Sequence, residues 1–181
     1  MKKKVYIVLG IILIAIIAYV GYVALTPPLS PSKTTEFSNN GLDIRVEYSR
    51  PFKKERLIFG EEKEGALLPY GKYWRLGANE ATEISFSKDI NFAGQPINAG
   101  TYRMYAVTGS NSWQVSLNSE LGKSGSEEPN YTLDVAKVEA PTKSAPSESE
   151  QFTINFSNDS AGVNMDFVWD NTMVSIPITL R

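Results

Sequence analysis

Residues 42–48, LDIRVEY, alternate between apolar and polar side chains without a break. Successive side chains of a β-strand point to opposite faces, so this stretch predicts a strand with one face in a core and the other in water. The same period of two recurs along the chain, between short turn sequences rich in Gly, Asn and Ser. The recurrences lie at residues 84–86, 102–106, 113–117, 131–135, 152–156, 163–169 and 174–180.

No stretch after Leu25 holds the helical period of about 3.6 residues. Many short strands with frequent turns predict an all-β fold, an antiparallel β-sandwich with jelly-roll-like or immunoglobulin-like topology. A closed barrel is the lesser alternative. Residues 141–150, PTKSAPSESE, are polar and of low complexity, and we expect them to form a loop between strands.

An apolar stretch precedes the β-rich region. Residues 5–25 carry no charge, and as a helix they would be about 30 Å long, which matches the hydrocarbon thickness of a bilayer. Lys2, Lys3 and Lys4 are expected to stay in the cytoplasm, so the chain after residue 25 is exported. We therefore predict a basic cytoplasmic tail at 1–4 and a transmembrane signal anchor at 5–25, which holds a periplasmic domain at the inner membrane.

A cleaved signal peptide is the alternative to a retained anchor. Its apolar core would be shorter and would end in a pair of small residues, which Tyr22-Val23-Ala24-Leu25 lacks. Residues 26–38, TPPLSPSKTTEFS, are rich in Pro, Ser and Thr and predict an extended stalk that holds the domain tens of ångströms from the lipid. The β-sandwich domain is then expected to span residues 39–181.

The composition excludes several classes of function. The chain has 18 basic and 20 acidic residues, and three of the basic ones lie in the N-terminal tail, so the exported part is acidic. An acidic surface does not displace counterions from phosphates, and we expect no nucleic-acid partner. The chain has no Cys and no His, which excludes Ser-His-Asp and Cys-His catalysis, lipoprotein acylation, ordinary zinc sites and haem ligation through His. We expect no cofactor and no metal.

Several motifs follow one another along the domain. They are YSRP at 48–51, LPYGKYWRLGANEAT at 68–82, AGTY at 99–102 and WDNT at 169–172. Together they resemble the bacterial domain-of-unknown-function 2911 family, over roughly residues 37–180. The resemblance implies an exported, β-rich envelope protein, and no established activity, ligand or cofactor. The chain departs from the family pattern in its long apolar N-terminus, because many relatives look like cleaved precursors.

The densest polar group in these motifs surrounds the WRLGANE segment. Arginine can clamp a carboxylate or phosphate through two hydrogen bonds, and aromatic faces can stack on sugars or bases. We therefore predict a small-molecule or glycan site at one end of the sandwich. Its expected residues are Arg50, Tyr70, Trp74, Arg75, Asn79 and Glu80. For these residues we favour the structural interpretation over the site, with Arg75 and Glu80 forming a buried or half-buried ion pair that fixes the Gly77-Ala78 turn.

Catalysis by paired carboxylates, as in glycosidases, is the main enzymatic alternative. Glu80 with Asp89, or Asp166 with Asp170, could supply such a pair. Asp166 and Asp170 are expected to face solvent, because the apolar residues of their strand have the other parity. We therefore expect a non-catalytic ligand-binding or protein-interaction module and assign no catalytic residue. A carboxylate-dependent hydrolase of envelope glycans and a purely structural or assembly role are the alternatives.

Overall fold

The computed structural model describes residues 2–25, 29–160 and 162–181. The chain begins with helix α1 (Lys2–Leu25). Apolar side chains along α1 are exposed, for example Ile7, Ile11 and Ile14. Judged on the described residues alone, the structure contains no helix whose length and apolar character suffice to cross a membrane. The transmembrane helix expected at 5–25 is therefore not shown.

The rest of the described chain is built from strands, which confirms the all-β prediction. Two short 3₁₀ helices, Glu62–Glu64 and Tyr131–Leu133, interrupt them. The strands are β1 (Ser32–Asn39), β2 (Leu42–Ser49), β3 (Phe59–Gly60), β4 (Leu68–Pro69), β5 (Tyr73–Trp74), β6 (Thr82–Phe86), β7 (Ile90–Phe92), β8 (Gln95–Ile97), β9 (Gly100–Val107), β10 (Ser112–Asn118), β11 (Asp134–Asp159) and β12 (Gly162–Leu180).

The strands pair in the spatial order β1-β2-β6-β9-β10-β11-β12-β7-β8, and every neighbouring pair is antiparallel. Strand β5 pairs with β9 beside this path, and β3 and β4 form a separate parallel pair. The first part of β11 pairs with β10, and the remainder pairs with β12. The register of the pairing with β12 is irregular between Ser144 and Thr153. One strand thus belongs to both layers of a sandwich-like fold.

Alternation fills the core as the sequence predicts. In β2 the residues at even positions from Leu42 to Tyr48 are buried, whereas Asp43, Arg45 and Glu47 are exposed. In β12 the odd positions from 163 to 169 are likewise buried. The fully buried large apolar residues include Trp113, Trp169, Phe92, Phe152, Phe167, Ile44, Ile58, Leu76, Ile84 and Ile90.

The second half of the predicted stalk at 26–38 is a paired strand instead. Strand β1 begins at Ser32, and each of its residues has a partner in β2. Thr35 and Phe37 are half-buried, and the Thr35 hydroxyl donates to the carbonyl of Ile154 at 3.1 Å. The inward face of β1 carries only one apolar residue. The sequence therefore shows no alternation of apolar and polar residues by which this strand could be predicted. Residues 26–28 of the stalk lie outside the described residues.

The loop predicted at 141–150 is also strand, because this stretch lies within β11. Its first residues continue the pairing with β10 and then change to β12, where Thr142 faces Val174. Ser, Thr and Lys face water on both sides here, so the segment carries no apolar period. Backbone hydrogen bonds to the neighbouring strands β10 and β12 therefore determine its extended conformation.

Asp166 does not face solvent as its parity predicted. It is only 8% exposed, and it accepts hydrogen bonds from the hydroxyls of Ser157 at 2.5 Å and Ser175 at 2.6 Å. The strand bends at Asp170, whose φ is 54°, and this brings Ser175 back towards Asp166. Asp170 itself accepts from the ammonium of Lys53 at 2.7 Å. The carboxylates of Asp166 and Asp170 therefore stabilise the bend in β12.

We expect Asp166→Ala to lower the free energy of unfolding by about 2 kcal/mol, because the buried Asp166 side chain and its two hydrogen bonds, from Ser157 and Ser175, are lost. The measurement is denaturant unfolding followed by tryptophan fluorescence. Asp159→Ala is the matched control, since Asp159 is exposed in the same hairpin, and it should change stability by less than about 0.5 kcal/mol. Equal stability of the two variants would contradict the buried role of Asp166.

Candidate functional site

A cleft of about 690 Å³ opens where β2 ends and the segment after β5 begins. Its apolar wall consists of Phe52, Tyr73, Trp74 and Trp169. Trp74 and Trp169 are almost wholly buried and stack on each other, with ring centroids 5.9 Å apart. The cleft therefore has a rigid aromatic floor that belongs to the core.

All three tryptophans of the chain meet behind this floor. Trp113 packs edge-on against Trp74, with ring centroids 5.4 Å apart, and Phe59 contacts both rings. The indole N–H of Trp74 donates to the carbonyl of Gly77 at 3.1 Å. The buried indole N–H of Trp169 has no hydrogen-bond partner among the described residues. Leaving such a buried donor unpaired costs about 1–3 kcal/mol of stability. Trp169 lines the cleft, so this unused donor belongs to a residue of the cleft wall.

The rim of the cleft is cationic. Lys54, Arg56 and Arg75 line it, and no Asp or Glu is among its described lining residues. None of the three cations forms an ion pair with a described carboxylate. Arg56 donates to the carbonyls of Lys53 and Phe52, and Arg75 donates one hydrogen bond to the carbonyl of Asn79. Each guanidinium thus retains donors that the protein does not use.

The backbone after Trp74 shapes one side of the cleft. Gly77 has a φ of 152°, and a Cβ there would lie 2.6 Å from the carbonyl oxygen of Ser49. Leu76 and Asn79 have φ values of 53° and 60°, in the left-handed region that side chains disfavour. The Thr82 hydroxyl donates to the carbonyl of Leu76 at 2.7 Å and helps to fix this conformation. Such strain clusters at functional sites in proteins generally.

The loop at 119–130 closes another side of the cleft and contributes Ser126 to its lining. Gly125 packs so closely that a Cβ would lie 2.6 Å from the Cδ of Arg75. The Tyr73 hydroxyl donates to the Gly125 carbonyl at 3.1 Å. Arg103, which is 1% exposed, donates to the Tyr73 hydroxyl at 2.7 Å and to the Glu127 carbonyl. A buried guanidinium therefore fixes both the loop and the tyrosine of the wall.

The structure brings three of the six predicted site residues together, namely Trp74, Arg75 and Asn79. Arg50 does not line the cleft, and it donates instead to the carbonyl of Phe152 at 3.1 Å and to the hydroxyl of Thr153 at 2.7 Å. It ties β2 to β11.

Tyr70 and Glu80 lie in two other surface depressions. Tyr70 lines one with Trp113, and Glu80 lines one with Glu83 and Lys123. The predicted ion pair between Arg75 and Glu80 does not form, because Glu80 is exposed and Arg75 bonds the Asn79 carbonyl.

Sequence reasoning missed Lys54, Arg56, Trp169 and Arg103. The two cations lie in an irregular segment with no motif, and Trp169 comes to the cleft from β12, more than a hundred residues further along the chain. Arg103 alternates with apolar neighbours in β9, so its parity predicted a solvent-facing side chain. Only the packing of the loop at 119–130 over that face buries it.

Comparison with known proteins identifies the family but no activity. A family model described as a protein of unknown function, DUF2911, matches residues 30–178, so the chain belongs to this family. No curated protein matches the sequence, and no solved structure matches the fold. The resemblance derived from the motifs is thereby confirmed.

We expect Gly77→Ala to lower the free energy of unfolding by about 2–4 kcal/mol, because the new methyl group meets the Ser49 carbonyl and the backbone conformation is strained. Gly71→Ala is the matched control. Gly71 also has a positive φ, of 78°, but a Cβ there meets nothing within 4 Å, so only the conformational cost of about 1 kcal/mol applies. Denaturant unfolding of both variants measures the difference. Equal losses of stability in the two variants would show that the close approach of Gly77 to β2 does not add to the cost of the substitution.

Proposed function

We propose that this DUF2911 protein is a membrane-tethered, non-catalytic module that binds an anionic ligand in the cleft of about 690 Å³. One observation carries the proposal. Lys54, Arg56 and Arg75 surround an aromatic floor, and none of their charged side chains forms an ion pair with a described carboxylate. A purely structural role would leave no reason for three unpaired cations on one concave surface.

The chemistry of the cleft suits a ligand with a charged end and an apolar body. Guanidinium groups bind carboxylate and phosphate through paired hydrogen bonds, and both arginines retain free donors. The faces of Phe52 and Tyr73 offer flat apolar surface beside them. Ligand pockets commonly have volumes of about 300–1,000 Å³, and the cleft lies within that range.

The hydrolase alternative receives less support from this geometry. A glycosidase needs two carboxyl groups on opposite sides of the scissile bond, and no described residue lining the cleft is Asp or Glu. Asp166 bonds two serines, whereas Asp170 pairs with Lys53, so these two do not act together. Binding without catalysis is therefore the function that the described residues favour.

The tether is proposed from residues 5–25. They carry no charge, and the large apolar side chains that α1 presents are exposed, including Leu9, Ile12 and Ile16. A helix that is apolar on every face is not stable in water unless something covers it, and lipid is the covering that the basic Lys2–Lys4 flank suits. We infer an inner-membrane anchor with the β-domain in the periplasm.

Arg75→Ala is expected to weaken anion binding about 10- to 100-fold, because one charge-assisted hydrogen-bonding group is removed. The full chain in neutral nanodiscs is titrated with sugar acids, aromatic carboxylates and glycerol phosphates. Tryptophan emission is the readout, since Trp74 and Trp169 line the cleft and Trp113 packs against Trp74.

Two further variants sharpen this experiment. Arg181→Ala removes an exposed arginine at the C-terminus and should bind as tightly as the unmodified protein. Arg75→Lys keeps the charge but loses the paired geometry, and intermediate affinity is expected. An emission response that Arg75→Ala leaves unchanged, or no response to any anion, would overturn the proposed site.

Membrane attachment is checked by washing isolated membranes with alkaline carbonate. We expect the full chain to stay with the membranes, because residues 5–25 remain in the lipid core. A variant that lacks residues 2–25 should remain in the supernatant. N-terminal sequencing of the mature protein is the control for signal cleavage. A mature chain that begins near Thr26 and is released by the wash would refute the tether.

A further inference from the structure

The cleft lies close to the tether along the chain. Leu29 and Ser30 line it, and α1 ends at Leu25. A fully extended chain spans at most about 3.6 Å per residue, so Leu29 lies within about 15 Å of the end of α1 in any conformation of the intervening residues. The Pro31 carbonyl accepts from the Arg50 amide at 2.8 Å, which fixes the start of β1 to the domain. A domain tethered in this way keeps the cleft near the lipid headgroups.

The distribution of charge would turn the cleft towards an anionic membrane. The chain after Leu25 is acidic in total, whereas the rim of the cleft carries only cations among its described charged residues. An anionic leaflet attracts basic groups over about a Debye length of 10 Å and repels acidic surfaces. Lys54, Arg56 and Arg75 lie on the part of the domain that the short linker already brings close.

Two exposed leucines border the same opening. Leu29 is 72% exposed and Leu67 is 39% exposed, and both line the cleft. Apolar side chains beside basic ones are typical of surfaces that enter the interfacial region of a bilayer. A soluble anion would not need an apolar rim, but a lipid presents its glycerol and first acyl carbons next to its phosphate.

We propose that the ligand of this cleft is the phosphate-bearing headgroup of an anionic lipid in the membrane that holds α1. This inference rests on the proposed function, because it requires both the anionic site and the tether. Lys54, Arg56 and Arg75 bind the phosphate oxygens, and Leu29, Leu67 and Phe52 contact the apolar part that follows.

The test uses the full chain in nanodiscs of phosphatidylcholine, alone or mixed with phosphatidylglycerol. Tryptophan emission should change as the phosphatidylglycerol fraction rises. Lys54→Glu should require about tenfold more phosphatidylglycerol for half of the response, because a cation at the rim becomes an anion. Lys88→Glu is the matched control. Lys88 is exposed and its ammonium lies next to Gly41, at the far end of β2 from the cleft, so this variant should respond like the unmodified protein.

A parallel arm adds glycerol phosphate to the chain in phosphatidylcholine discs, which separates a free anion from a lipid. A response to glycerol phosphate with none to phosphatidylglycerol would overturn the lipid inference and leave the proposed function standing. Silence in both arms would overturn the lipid inference, and silence towards the sugar acids and aromatic carboxylates as well would refute the proposed function. If Lys54→Glu and the unmodified protein showed the same emission change at the same phosphatidylglycerol fraction, the lipid would act outside the cleft. The inference would then fail.

Discussion

The contacts among Trp74, Trp113 and Trp169 are the interaction on which the rest of the structure depends. The three rings come from β5, β10 and β12, which lie in different parts of the strand order. Phe59 adds the small parallel pair to the same cluster. Buried aromatic rings contribute more apolar area than any other side chains, so this cluster joins the two layers and fixes the floor of the cleft. The floor of the cleft and the core of the domain therefore share the same aromatic rings.

A second, polar cluster holds the outer face of the sheet. Arg103 reaches the loop at 119–130, and Tyr105 donates to Asp134 at 2.7 Å. Burial raises the pKa of the Tyr105 phenol above its ordinary value, so the phenol stays a hydrogen-bond donor further into alkaline pH than an exposed tyrosine does. Asn118 donates to the same carboxylate at 2.8 Å. These bonds stiffen the loop, and the loop in turn positions Tyr73 and Arg75 at the cleft.

The sequence predicted the strands well where the alternating apolar residues are buried, as in β2 and β12. The strand predicted at 131–135 was wrong in its first half, because Tyr131–Leu133 form a 3₁₀ helix and their apolar side chains are exposed. The prediction also failed for β1, whose inward face carries a single apolar residue, and for residues 141–150, which face water on both sides, because neither stretch shows an apolar period of two. The burial of Asp166 depends on a bend elsewhere in its strand. Trp74, Arg75 and Asn79 line the same cleft because they are close neighbours in the sequence. Lys54, Arg56 and Trp169 were missed because only the fold brings such distant segments together.

The shared strand β11 has a consequence for how molecules reach the interior. Its backbone is hydrogen-bonded to β10 in one layer and to β12 in the other. Residues up to Pro141 pair with β10 and those from Thr142 pair with β12, so one continuous backbone joins the two layers. The cleft is open at its rim, where Lys54 and Arg56 are exposed, so a molecule can reach it while the layers stay joined. Any molecule that enters would therefore meet an aromatic floor that the packing of the core holds in place.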